Sequence, residues 1–206
     1  MEVIHFKNPG ILIDNLPSEM VKELKLLAKK VQPKKYNKRL AGNIEKEFYF
    51  SEGAEIIRNY IFDLCNKYDQ KFDYLKSIRV LTDDLPMVLL DDDVWINFQL
   101  KHEFNPIHDH SGIYSFVIWL QVPYTIEEEL KLSPGKDSNK PSAGVFEFLY
   151  TNALGSSVTG TLPADKTWEG KIALFPASLS HCVYPFYSSD DYRISISGNV
   201  KLESRK

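Results

Sequence analysis

The sequence predicts a mainly β protein, a sandwich or barrel, with helices gathered at its N-terminal side. After about residue 85, short β-rich runs follow one another between turn residues. That texture belongs to antiparallel sandwiches and barrels, not to a parallel α/β sheet. Before that point apolar residues recur at helical spacing. A chain of 206 residues, 43% hydrophobic and 26% charged, suits one domain with a substantial core.

Taken in order, residues 1–85 form a helical N-terminal region. Pro17, Ser18 and Glu19 open a helix whose apolar face carries Met20, Leu24, Leu27 and Val31, and Pro33 ends it. A second helix is expected from about Gly53 to Lys71, with Ile56, Ile57, Tyr60, Ile61, Leu64 and Cys65 on its apolar side. The linker between them is basic and polar. Residues 86–200 form the β core. Strands are expected at residues 94–100, 113–122, 145–150, 171–175 and 192–197. Residues 125–142 are polar and rich in Lys and Glu, and read as an insertion between strands and a candidate mobile flap.

A net charge of −3 leaves no electrostatic footprint for nucleic acid or an anionic membrane. The basic stretches at residues 29–39 and 201–206 read as solvated surface. Two cysteines, Cys65 and Cys182, make no disulfide framework and read as buried free thiols, which fits a reducing compartment. The N-terminal residues lack an apolar signal stretch, and no run approaches the roughly 18 apolar residues of a membrane span. A cytoplasmic protein is expected.

Chemistry concentrates in His108-Asp109-His110 and in His181, which follows 71 residues after His110. Residues i and i+2 of a strand share a face, so His108 and His110 can present two imidazoles together. His181 is the only later histidine, and Pro176 and Pro185 around it suit a turn back toward the first pair. Iron(II) that activates oxygen takes a few N and O ligands on one side and keeps open positions on the other. The second ligand is either His110 or Asp109. A regular strand would point Asp109 to the opposite face, and a turn at residues 109–112 would override that. An Asp109 that is not a ligand would be placed to orient a ligand histidine. Zinc would also accept three histidines. His5 and His102 have no such context and are read as structural.

Arg193 lies 12 residues after His181 on an alternating strand, sharing a face with Ser195 and Ser197. A planar guanidinium beside a hydroxyl suits the distal carboxylate of an acidic co-substrate. The competing reading is a strand arginine paired with Asp190 or Asp191.

Three segments in this order resemble a known family. They are Trp95-Ile96-Asn97-Phe98 with Phe104-Asn105-Pro106-Ile107-His108-Asp109-His110-Ser111-Gly112 and Ser115-Phe116-Val117-Ile118-Trp119-Leu120; then residues 174–186; then Arg193-Ile194-Ser195-Ile196-Ser197-Gly198-Asn199. Over residues 94–200 the chain resembles the 2-oxoglutarate-Fe(II) oxygenases common in bacteria and phages. The resemblance implies a double-stranded β-helix (jelly-roll, cupin-like) core with flanking helices. It implies Fe(II) bound by His108, His181 and either His110 or Asp109, and 2-oxoglutarate held by Arg193 with Ser195 assisting. It implies use of O2 with release of succinate and CO2, most simply in a hydroxylation. Asn97 and Tyr114 are further candidates for contact with the co-substrate, whereas Trp119 is expected in the core.

Two other classes compete: a three-histidine cupin-type metal enzyme that does not use 2-oxoglutarate, and a non-catalytic jelly-roll binding module. Arg193 counts against the first. Against the second, the chain keeps both the ligand residues and the arginine. The substrate, a small molecule or a peptide, is not legible, and the low basicity counts against nucleic acid. The paired helices would either cover one sheet or form a homodimer interface.

Overall fold

The computed structural model describes residues 1–3, 8–78, 86–90 and 93–203. His5, the expected boundary near residue 85 and the last three residues of the basic tail lie outside them. The chain opens with β1 (Leu12–Asn15), α1 (Ser18–Ala28), β2 (Lys46–Tyr49), α2 (Ser51–Phe72) and α3 (Tyr74–Ser77). Then come β3 (Met87–Val88), β4 (Val94–Gln99), β5 (Asn105–His108), β6 (Tyr114–Gln121) and α4 (Ile126–Leu132). Last are β7 (Phe146–Thr151), β8 (Ser157–Leu162), β9 (Lys171–Pro176), β10 (His181–Val183) and β11 (Arg193–Leu202).

The strands form two antiparallel sheets. The larger runs β1-β9-β6-β11-β4-β2, with β3 paired to the far end of β11, and the smaller runs β5-β10-β7-β8. Strand alternation divides the apolar residues between two cores. Val94, Ile96, Phe116, Ile118, Ile172, Leu174 and Ile196 face α1 and α2, joining Leu24, Ile57, Ile61 and Leu64. Val117, Trp119, Ala173 and Phe175 face the opposite way and pack against Phe146 and Phe148 of the smaller sheet. The result is three layers: helices, large sheet, small sheet. The two sheets form the double-stranded β-helix.

Both expected helices are present; α1 ends at Ala28, short of Pro33, so Val31 lies beyond it, and α2 runs slightly past both expected ends. Glu19 in the first turn of α1 and Lys25 in its last complement the helix dipole. α2 stops where Asp73 turns left-handed, at φ 52°. The N-terminal region is not wholly helical, however. β1 pairs with β9, and β2 pairs with β4 through Lys46↔Phe98 and Glu47↔Asn97. Each has only four residues, too few for a visible alternation, and each exists because a long neighbour offers it a free edge.

Residues 125–142 also depart from a simple flap. Thr125 and Glu128 form a capping box that starts α4. Glu129, fully buried, accepts hydrogen bonds from the backbone N–H of Tyr187 at 2.7 Å and Ser188 at 2.9 Å. The first half of the insertion is thus fastened to the loop before β11. Cys65 and Cys182 are buried free thiols. Among the described residues, no helix is long and apolar enough to cross a membrane.

Candidate metal and co-substrate site

β5 and β10 are antiparallel neighbours, and their register sets His181 directly opposite His108. His110 lies just past the end of β5, where its backbone N–H donates to Ala177 O at 2.9 Å. These two placements bring one nitrogen from each of His108, His110 and His181 within 4.8 Å of one another. The ring centroids of His108 and His181 are 4.3 Å apart.

Backbone carbonyls fix two of the rings. His108 Nδ1 lies 2.7 Å from Pro106 O, and His181 Nδ1 lies 2.9 Å from Leu179 O. A carbonyl only accepts, so each Nδ1 carries the proton and each Nε2 keeps its lone pair. Aromatic side chains flank them. His181 stacks on Phe146 at 5.2 Å, and His110 sits 5.5 Å from Trp95. Burial, reinforced by the neighbouring imidazole, pushes His110 down to about 4 and His181 to about 3. Burial also lowers His108. Three neutral imidazoles in one cluster are a donor set for a divalent transition metal. The residues present therefore fit an Fe(II) ion.

Asp109 is exposed and stands outside this cluster, so His110 and not Asp109 completes it. The rings of His108 and His181 are oriented by the carbonyls of Pro106 and Leu179, not by Asp109. Strand parity is the reason, since Asp109 points away from the face its two neighbours share.

β11 carries Arg193, Ser195 and Ser197 into the same cavity, which is also lined by Asn97 and Gln99 of β4. Register sets Arg193 against Gln99 and Ser195 against Asn97. Arg193 is buried. Its Nε donates to Gln99 Oε1 at 3.1 Å, and its Nη1 donates to Tyr124 Oη at 2.6 Å and to Gly144 O at 3.2 Å. Burial keeps the Tyr124 hydroxyl protonated, against the pull of Arg193. That hydroxyl accepts from Arg193 and donates to Gly144 O at 2.6 Å. Asp190 pairs instead with Lys101, and among the described residues no carboxylate pairs with Arg193. A buried, oriented, acid-free guanidinium is a receptor for an anion.

Tyr114 is the expected contact that lies elsewhere. It is buried on the opposite face of β6, 5.3 Å from the Tyr68 ring and 5.6 Å from Tyr74. Counting along β6 explains this: Val117 and Trp119 face the cavity, so the even-numbered residues face the helices. Trp119 is in the core as expected, and it also lines the cavity. The sequence reading missed Gln99, Tyr124 and Phe146. Gln99 continues the alternation Trp95, Asn97, and was legible. Tyr124 follows the end of β6 and carries no local signal.

The family described as "Putative 2OG-Fe(II) oxygenase" matches residues 93–199, just over half of the chain. Similar solved structures include a Pseudomonas putida prolyl-4-hydroxylase, at TM-score 0.51 and 13% identity over 95% of this chain and 93% of that one. A Trichoplax adhaerens prolyl hydroxylase, solved with a peptide fragment of the hypoxia inducible factor oxygen degradation domain, aligns at 0.51 and 14% identity, covering 94% of this chain and 83% of its own. HygX from Streptomyces hygroscopicus, with nickel and 2-oxoglutarate bound, aligns at 0.50 and 10% identity, covering 93% and 83%. These structures share the fold. No curated protein matches the sequence.

Proposed function

Because the chain belongs to the 2-oxoglutarate-Fe(II) oxygenase family, we propose that His108, His110 and His181 hold its Fe(II) and that Arg193 anchors 2-oxoglutarate. The protein is an oxidoreductase that uses Fe(II), 2-oxoglutarate and O2. With these bound, the site supplies a substrate oxidation coupled to decarboxylation of 2-oxoglutarate to succinate and CO2. The observation that carries the residue assignment is the pairing of two features in one cavity: a neutral three-imidazole cluster and a buried arginine without an acid.

The chain's own residues divide the work. Pro106 O and Leu179 O hold two imidazoles with Nε2 free for the ion. Gln99, Tyr124, Gly144 O and Tyr184 O accept from the guanidinium, whose charge has no acid beside it, and the distal carboxylate of 2-oxoglutarate would bind it by displacing one of these acceptors. Ser195 and Asn97, bonded to each other at 3.3 Å, line the space between and offer further polar contacts. Phe146, Phe175 and Trp95 keep water from the ion's neighbourhood. A three-histidine enzyme without an acidic co-substrate would have no use for the buried Arg193.

The reaction we assign is hydroxylation of a small molecule or a peptide side chain, in line with the prolyl hydroxylases that share the fold. The two buried free thiols fit a cytoplasmic setting. The test is anaerobic titration of the iron-loaded protein with 2-oxoglutarate, followed by the visible charge-transfer band. The band is expected in the wild type and should weaken in Arg193→Ala; its absence from iron-loaded wild type would overturn the residue assignment.

A further inference from the structure

The cavity that holds the histidines and Arg193 has a second polar wall that neither explains. Three side-chain oxygens in or beside it are buried and accept no hydrogen bond: Asn97 Oδ1 and Asn105 Oδ1, which line the cavity, and Glu47 Oε1, next to them. Glu47 and Asn97 are cross-strand partners on β2 and β4, so both point to the cavity face. Asn105 begins β5, and it lines the cavity together with Asn97 and Gly42. Two of the oxygens converge. A Cβ built on Gly42 would lie 2.2 Å from Asn105 Oδ1 and 2.8 Å from Glu47 Oε1. Only a glycine at 42 leaves room for both oxygens.

Glu47 is the decisive member. It is fully buried, and among the described residues the one hydrogen bond to its carboxyl group comes from Asn37 Nδ2 to Oε2 at 3.0 Å. Among the described residues no Lys or Arg pairs with it. The Glu103 carboxylate nearby adds negative potential, and burial with that neighbour pushes the Glu47 carboxyl up to about 7. A buried carboxylate without a cation is costly to the fold, as is each unmet acceptor. Such a wall holds three acceptors that receive no hydrogen bond. It therefore selects a group that brings several N–H donors, and a positive charge satisfies it best. The cavity thus has an arginine without an acid at one end and, behind Asn97 and Asn105 at the other, a carboxyl without a cation.

We propose that Glu47, Asn97 and Asn105 form the substrate subsite and that it takes a cationic, N–H-rich group: a primary ammonium or a guanidinium. The assignment rests on the oxygenase reading only in calling the ligand a substrate. The subsite itself requires neither metal nor 2-oxoglutarate.

The experiment is a calorimetric titration of the metal-free protein at about pH 8 with n-butylammonium and n-butylguanidinium chloride, beside n-butanol and sodium butyrate. At least one cation is expected to bind the wild type about tenfold or more tighter than the neutral and anionic analogues. Glu47→Gln, which keeps the shape and removes the charge, should lose about tenfold or more of that affinity, and Gly42→Ala should block it by filling the cradle. Asn105→Ala serves as a smaller lesion should Glu47→Gln fail to fold, and is expected to weaken the cation severalfold. The proposal is overturned if neither cation binds, which would leave water as the partner of these oxygens. It is equally overturned if butanol or butyrate binds as well, or if Glu47→Gln binds the cation unchanged. None of these readouts involves iron or 2-oxoglutarate. Their failure leaves the family assignment standing, and failure of the charge-transfer titration leaves them intact.

Discussion

Arg193 Nη1 donates to the Tyr124 hydroxyl at 2.6 Å, and that hydroxyl donates in turn to Gly144 O at the same distance. The guanidinium that would hold the co-substrate is therefore oriented by a side chain 69 positions away, fastened in turn to the segment before β7. Tyr124→Phe removes the bond and leaves the buried ring in place. An unpaired buried donor costs about 1–3 kcal/mol. The concentration of 2-oxoglutarate that half-saturates the charge-transfer band should rise by roughly tenfold, with metal affinity unchanged. An unchanged titration would show that Tyr124 does not position Arg193.

The metal cluster makes a sharper demand on neighbouring residues. His181→Ala removes one of the three clustered nitrogens and should weaken Fe(II) binding by more than about 100-fold, the upper range seen even for residues that only orient a ligand. Asp109→Ala, one bond from two cluster members but exposed, should change it by less than about threefold. Competition with a colorimetric chelator measures both. Equal losses would return Asp109 to the ligand set.

Acid should unfold the metal-free protein early. His110 and His181 resist protonation down to about 4 and about 3, whereas the unfolded chain takes up those protons near 6.5. The unfolded state therefore binds more protons below 6.5, and the stability these groups leave intact above that value is lost as pH falls from it. Thermal melts should show the melting temperature falling below about pH 6.5, and His181→Gln should flatten the fall.

Glu47 has the opposite sign. Its folded carboxyl holds a proton up to about 7, against an ordinary 4.5, so its contribution is present below 4.5 and lost as pH rises through 7. Asn37, which donates to it, and the Glu103 carboxylate are the polar groups that act on it. Glu47→Gln carries no such titration. The melting temperature of the variant relative to wild type should rise between about pH 5 and pH 8. A constant difference would mean Glu47 titrates normally.

Glu129 fastens α4 to the loop that precedes β11. Its carboxylate accepts from Tyr187 N, from Ser188 N and from the Ser188 hydroxyl. Hydrogen bonds to a charged group are each worth about 1.5–3 kcal/mol, so Glu129→Ala should lower stability by about 2–5 kcal/mol in denaturant unfolding. It should also raise hydrogen exchange at Tyr187 and Ser188.

The chain's sequence by itself determined the β core, both long helices, and the identities of the histidines and the arginine. The physical reason is periodicity. Alternation along β4, β6 and β11 says which residues share a face, so Arg193 with Ser195, and Asn97 with Trp95, were legible before any coordinate. The same rule, counted one residue further, would have removed Tyr114 from the cavity and offered Gln99.

Tertiary structure decided what no local pattern encodes. The register of β10 on β5 set His181 opposite His108 and so completed the three-histidine cluster. β1 and β2 became strands only because β9 and β4 had edges to pair with. Tyr124 reached Arg193, and Glu47 reached Asn97, from segments whose own sequences point nowhere in particular. Cross-strand register and sheet order bring together residues far apart in the chain, and they are settled by which faces can be buried together, a property of the whole core and not of any single run.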